Sequence, residues 1–150
     1  MNEYLSADTT PKAQPQRLGA EVADDGTHFR IWAPKATAVD LTLVERNGSL
    51  AQQDVRMARG DDGVWSVFVE GIGNGQLYGF RVDGPWDPHN GLRFNRNLLL
   101  VDPYARAVFG GIDYEGPIYD HVPENRWKKS PADSIGSVPL SVVVADTPPP

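Results

Sequence analysis

The sequence contains no cysteine, which excludes a disulfide framework and any thiol chemistry. No apolar run approaches the ~20 residues that a membrane-crossing helix needs. Residues 1 to 16 are polar and contain proline, without a basic stretch followed by an apolar one. They read as a disordered tail rather than a secretory signal, and the cytoplasm is the expected compartment. Positive charge is scarce: 14 Lys and Arg stand against 20 Asp and Glu, for a formal net charge of −6. Phosphate backbones need a basic face, so nucleic acid is excluded as a partner, while a neutral partner such as a sugar is not. Only 3 histidines occur, and His28, His89 and His121 lack the spacing of metal ligands, so no metal or cofactor is expected. The acids cluster in turns (Asp24-Asp25, Asp61-Asp62, Asp87), where carboxylates accept local backbone hydrogen bonds. No carboxylate pair on rigid elements and no Ser/His/Asp arrangement can be argued from the spacing, so no catalytic residue is assigned. The Gly-rich "GIGNGQ" has no following helix to cradle a phosphate and reads as a hairpin turn.

What is abundant is turn chemistry. The 150 residues, enough for one domain with its own core, include 15 Gly and 13 Pro, which point to many short strands. In "THFRIWA", residues 27 to 33, Phe29 and Ile31 share one face and His28, Arg30 and Trp32 the other. In "AVDLTLVE", residues 38 to 45, Val39, Leu41 and Leu43 point inward and Asp40 and Thr42 outward. Asn47-Gly48 is a strong hairpin signal, and Leu50 to Met57 returns as a polar edge strand. Trp65, Val67 and Val69 line one face of residues 64 to 70, and Tyr78, Phe80 and Val82 one face of residues 76 to 83. Val138 to Ala145 is β-branched and can close a sheet. No segment has the length and period of an amphipathic helix; the one place for a short helical turn is Tyr104 to Phe109. Strands spaced this way predict an all-β fold, an antiparallel β-sandwich. Residues 84 to 97 and 110 to 137 read as strand-free, and loops of that length are functional or docked on something.

Flat aromatic side chains are the usual platforms for the apolar faces of sugar rings. Trp65 reads as core. Trp32 faces away from Phe29 and Ile31, and a glycan platform and a packed side chain under a neighbouring loop are both open to it. Trp86 and Trp127 sit in the long loops, where large aromatics serve recognition or pin their own loop.

Three stretches carry a family resemblance: "RLGAEVADDGTHFRIWAPKATAVDLTLVE", "DGVWSVFVEGIGNGQLYGFRVDGPWDPHNGLRFNRNLLLVDPYARAVFG" and "VPLSVVV". Over about residues 17 to 145 the chain resembles the family 48 carbohydrate-binding module that precedes the catalytic domain of bacterial glycogen debranching enzymes of the isoamylase type, in glycoside hydrolase family 13. "YGFRVDGPWDPHNGLRFNRNLLLVDPYA" is its most specific part. The sequence departs from the family pattern in places. Trp86 replaces a Tyr, Arg96 a Pro and Leu98 a Lys, and Val101 precedes Asp102.

The resemblance implies an immunoglobulin-like sandwich of the early-set type with long C-terminal loops. It also implies a linker, residues 146 to 150, into a (β/α)8 barrel that would supply an Asp nucleophile, a Glu acid/base and a second Asp. None of those residues has a counterpart here, so the chain alone is expected to be non-catalytic. The expected partners are that barrel and α-glucan, glycogen or maltooligosaccharide. Candidate glycan contacts are Trp32, Trp86 and Trp127. Candidate docking residues are Trp86, Asp87, Leu92, Arg93, Phe94 and Asn95, with the apolar run Leu98 to Val101 behind them. That run has a second reading, as one more strand of the same sandwich. An independent α-glucan-binding module is the alternative function. An adhesive immunoglobulin-like domain fits less well with a chain lacking cysteines and an export signal.

Overall fold

The computed structural model describes residues 17–47 and 49–146. The expected tail, most of the expected linker and Gly48 of the Asn-Gly signal lie outside the described residues. The structure is all-β. Strands β1 (Gly19–Val22), β2 (Gly26–Trp32), β3 (Ala38–Val44), β4 (Gln52–Arg56), β5 (Ala58–Arg59), β6 (Val64–Glu70) and β7 (Leu77–Asp83) build most of the sandwich. The chain continues through β8 (Trp86–Asp87), a 3-10 turn at Pro88–Asn90, β9 (Leu92–Arg93), β10 (Ala107–Phe109), β11 (His121–Val122), β12 (Asn125–Lys129) and β13 (Leu140–Val142). One sheet has the order β1-β2-β6-β5 and the other β10-β13-β7-β3-β4, with all pairs antiparallel.

Alternation explains the core. Phe29 and Ile31 of β2 meet Val39, Leu41 and Leu43 of β3, Tyr78, Phe80 and Val82 of β7 and Trp65 of β6. Each large apolar side chain removed from water there contributes about 1.5–3 kcal/mol. The Trp65 indole is buried and donates from Nε1 to the Ala33 carbonyl at 2.9 Å. The Tyr78 hydroxyl donates to the buried Asp102 carboxylate at 2.6 Å, and burial pushes that phenol far above its usual pKa. β4 is an exposed edge strand, and β13 joins the five-stranded sheet between β7 and the opposite edge, β10.

Three expectations need correction. Asp40 and Thr42 point away from the core between the sheets, yet both are buried. The outer face of the five-stranded sheet is itself covered: Leu99 packs with Val44, Leu77 and Leu140, joined by Ile135 and Val138. Gly79 makes this approach possible, since a Cβ there would sit 2.8 Å from Leu99 Cδ1. Second, Tyr104 to Phe109 is not helical. The chain turns at Pro103 and Tyr104 and then forms β10, because β13 offers an unpaired edge. Third, the two long loops are not strand-free; each carries a small ribbon, β8–β9 and β11–β12. The Leu98 to Val101 run forms no full strand: Leu100 alone bridges to Phe80 of β7, with backbone hydrogen bonds at 2.8 and 2.9 Å, while the Leu99 side chain is buried and that of Leu100 is exposed.

Covering the outer face also buries charge. Arg81 is nearly inaccessible, and its guanidinium donates to the Asp133 carboxylate, Gln52 Oε1 and the Arg96 carbonyl. Burial alone would push the Asp40 carboxyl up, but hydrogen bonds from Arg56 and Arg96 outweigh it and hold the group below the usual carboxylate range.

Leu99→Ala is expected to cost about 2–5 kcal/mol, read as a lower urea midpoint with an unchanged slope. Because the Asp40 pKa is depressed in the folded state, its contribution is present above an unfolded value of about 4 and is lost as pH falls through the folded value. The urea midpoint is therefore expected to hold from about pH 7 to 5 and to drop below about 4. Asp40→Asn should lower the midpoint at pH 7 and flatten that acid limb.

Candidate functional site

The groups with recognition chemistry gather where the two long loops meet. After β7 the chain turns at Gly84, where a Cβ would lie 2.6 Å from the Phe94 ring, and pairs Trp86 with Arg93 in the first ribbon. Pro88 starts the 3-10 turn, Gly91 ends it at φ 79°, and the Asn90 amide donates to the Asp87 carboxylate at 2.8 Å. The second ribbon turns tightly between Val122 and Asn125, and the Asn125 side chain accepts from the Trp127 amide at 2.9 Å.

Arg93 ties the ribbons together. Its guanidinium makes a bidentate pair with Asp120, Nε to Oδ2 at 3.0 Å and Nη2 to Oδ1 at 2.9 Å, and also donates to the Arg126 carbonyl at 2.8 Å. The Asp120 hydrogen bond raises the Arg93 pKa further above its already high usual value. The buried Asn95 amide bridges the carbonyls of Asp120 and Ser130, both at 2.9 Å. The Trp86 indole donates from Nε1 to the Trp127 carbonyl at 3.0 Å.

The aromatic rings are layered with cations. Arg93 lies over Trp86 at 5.0 Å from the ring centroid, and Arg126 over Trp127 at 4.6 Å. His89 stacks on Trp127 with centroids 4.0 Å apart, and Tyr119 on His121 at 5.3 Å. Between the ribbons opens a groove of about 550 Å³ lined by Pro88, Arg93, Leu98, Tyr119, His121 and Trp127 among others. A second cleft of about 340 Å³ shares Arg93 and Leu98 and runs on past Leu92, Phe94 and Leu100.

Of the carboxylates here, Asp120 is engaged by Arg93 and Asp87 by Asn90. The described residues contain no group of three or more His, Cys, Asp or Glu side chains able to hold a metal, and no helix long and apolar enough to cross a membrane. Aromatic faces beside fixed guanidinium groups can meet the apolar ring faces and hydroxyl edges of a neutral ligand.

The expected residues divide. Trp86 and Trp127, 41 residues apart in sequence, are brought together. Trp32 is on the four-stranded sheet, outside this cluster, and is 62% exposed. Among the docking candidates, Arg93 and Asn95 are occupied by contacts within the chain, and Phe94 packs against the core. Leu92 lines the second cleft, and Asp87 is exposed beside its Asn90 partner. Sequence reasoning missed His89, Tyr119, Asp120, His121 and Arg126. The signal that was there is "VPENRW", a tight-turn sequence before a short strand; the partners across the loops have no fixed spacing.

The model of the family described as carbohydrate-binding module 48 (isoamylase N-terminal domain) matches residues 17–105. The chain belongs to this family. The module 48 match contains Trp32, Trp86 and Arg93, while β11–β12 lies beyond it. The chain is 36% identical over 133 residues to the glycogen debranching enzyme of Enterobacter sp. (strain 638), covering 89% of this chain and 19% of that protein. It is 36% identical over 130 residues to the glycogen debranching enzyme of Salmonella typhi, covering 85% of this chain and 19% of that one. The chain thus spans about a fifth of the length of these curated relatives. Among solved structures, pullulanase type I from Bacillus subtilis str. 168 complexed with maltose aligns with TM-score 0.51 and 31% identity, over 64% of this chain and 12% of that one. The catalytic module of the pneumococcal virulence factor SpuA aligns with TM-score 0.61 over 87% of this chain and 17% of that one; at 18% identity this speaks to fold alone.

Asp120→Ala removes the carboxylate that clamps Arg93. Amide hydrogen exchange in residues 121 to 129 is expected to speed up while β2 and β6 keep their protection. Unchanged exchange in the ribbon would mean that the Arg93–Asp120 pair does not hold it.

Proposed function

We propose that the chain is the N-terminal module of a debranching α-1,6-glucosidase that acts on glycogen or its limit dextrin in the cytoplasm. The module, residues 17 to 145, is non-catalytic alone; a tail precedes it and residues 146 to 150 begin the linker to a (β/α)8 barrel of the same polypeptide. That barrel supplies the carboxylates for retaining hydrolysis through a covalent glycosyl–enzyme ester. The module packs on the barrel and offers the groove between its two ribbons to α-glucan. The observation that carries the glucan contact is the junction of Trp86 and Trp127, whose rings are fixed from two distant loops by a hydrogen bond and two stacked cations. Preorganised rings lose little entropy on binding.

Packing on a barrel is supported by the run from Tyr104 to Tyr114, where Tyr104, Val108, Phe109, Ile112 and Tyr114 are all exposed. A second reading is a module that binds α-glucan without the barrel, through the groove residues Tyr119, His121 and Trp127 alone.

Titration of this chain with maltoheptaose, followed by backbone NMR shifts, tests both. Saturable shifts are expected in residues 86 to 95 and 119 to 129, and Trp127→Ala or Tyr119→Ala should weaken binding about tenfold. Shifts in this chain alone support the independent module. Complete silence overturns the glucan contact and leaves packing on the barrel as the module's role.

A further inference from the structure

The four-stranded sheet turns one face away from the core, and the groove uses none of it. The register places Trp32 of β2 opposite Val64 of β6, Arg30 opposite Ser66, and His28 opposite Phe68. Trp32 is 62% and Phe68 40% exposed. The His28 and Phe68 rings lie 4.6 Å apart, so the imidazole steadies the phenyl ring from the neighbouring strand. Phe68 is four residues along β6 from the position facing Trp32, which at 3.3 Å per residue separates the two aromatics by about 13 Å along the strands. Between them the face is polar and its charge is neutralised. Arg30 donates to Glu21 of β1 at 2.8 Å and to the Arg17 carbonyl at 3.2 Å, and the Ser66 side chain is exposed.

We propose that this sheet face is a second α-glucan site, in which one oligosaccharide lies along β2 and β6 with a sugar ring on Trp32 and another on Phe68. The ligand class rests on the module 48 reading above; the place and the two-platform geometry rest on the sheet. A protein partner would want an apolar centre with a polar rim. Here the order is reversed, with aromatic rings at the ends and, in the middle, the Ser66 hydroxyl and Arg30, whose charge is neutralised by Glu21 of the flanking strand. That order suits a linear neutral ligand with apolar ring faces and hydroxyl edges. The separation is longer than one sugar ring, so both platforms are engaged only by a chain of several glucosyl units.

The test uses this chain with maltose and maltoheptaose, read by the Trp32 indole N–H and Phe68 ring signals. Maltoheptaose should move both signals saturably and bind at least about tenfold more tightly than maltose, because the second ring contact becomes intramolecular. Trp32→Ala and Phe68→Ala should each abolish that advantage at the sheet, with urea midpoints unchanged, while Trp127→Ala leaves it in place. Shifts confined to residues 86 to 95 and 119 to 129, with Trp32 and Phe68 unmoved, would overturn the second site and leave the groove standing. Shifts at Trp32 with equal affinity for both sugars would overturn the two-platform geometry. Silence everywhere would overturn both the site and the glucan reading it rests on.

Discussion

Leu99 resting on Gly79 is the contact from which the rest of the molecule is organised. The five-stranded sheet has apolar side chains on both faces, so a sandwich partner on one side leaves Val44, Leu77 and Leu140 in need of cover on the other. The chain supplies that cover itself by bringing Leu98 to Val101 back across β7. A larger residue at position 79 would hold that segment off the sheet, and the exchange of hydrogen bonds between Leu100 and Phe80 would be lost with it. Placing an apolar run there also removes Arg81 from water, and Asp133, Gln52 and the Arg96 carbonyl make that burial tolerable.

Once that segment is fixed, the loops before and after it have little choice. Asn95 is held between the carbonyls of Asp120 and Ser130, and Arg93 is held by Asp120. Two stretches with no regular pairing to the sandwich thereby become one rigid corner. The groove between the ribbons is a by-product of covering the sheet: its walls are the residues left over on the solvent side of the packed loops. This is why Trp86 and Trp127 meet although nothing in their local sequence relates them.

The four-stranded sheet has the opposite character. Its inner face packs on the core, while its outer face keeps Trp32 and Phe68 in solvent, with Ser66 and Arg30 between them and Arg30 paired to Glu21 of the flanking β1. One sheet is covered by its own chain and the other carries an open aromatic surface.

Period-two alternation is a local property, and it made β2, β3, β6 and β7, their inward faces and the all-β class legible in the sequence alone. The motif around "VDGPWDPHNGLRFN" marked the family in the same way, since it is contiguous. The second layer of burial was not legible. Whether Asp40 and Thr42 face water depends on a segment 50 or more residues away, and no period in β3 reports it. The pairing of Arg93 with Asp120, the stacking of His89 on Trp127 and the exposure of Trp32 are likewise set by long-range placement of loops. Side chains that meet through loop closure carry no spacing rule, because the intervening chain can take any length that spans the gap. Sequence therefore determined which residues form strands, and only the tertiary structure decided which of the others share a surface.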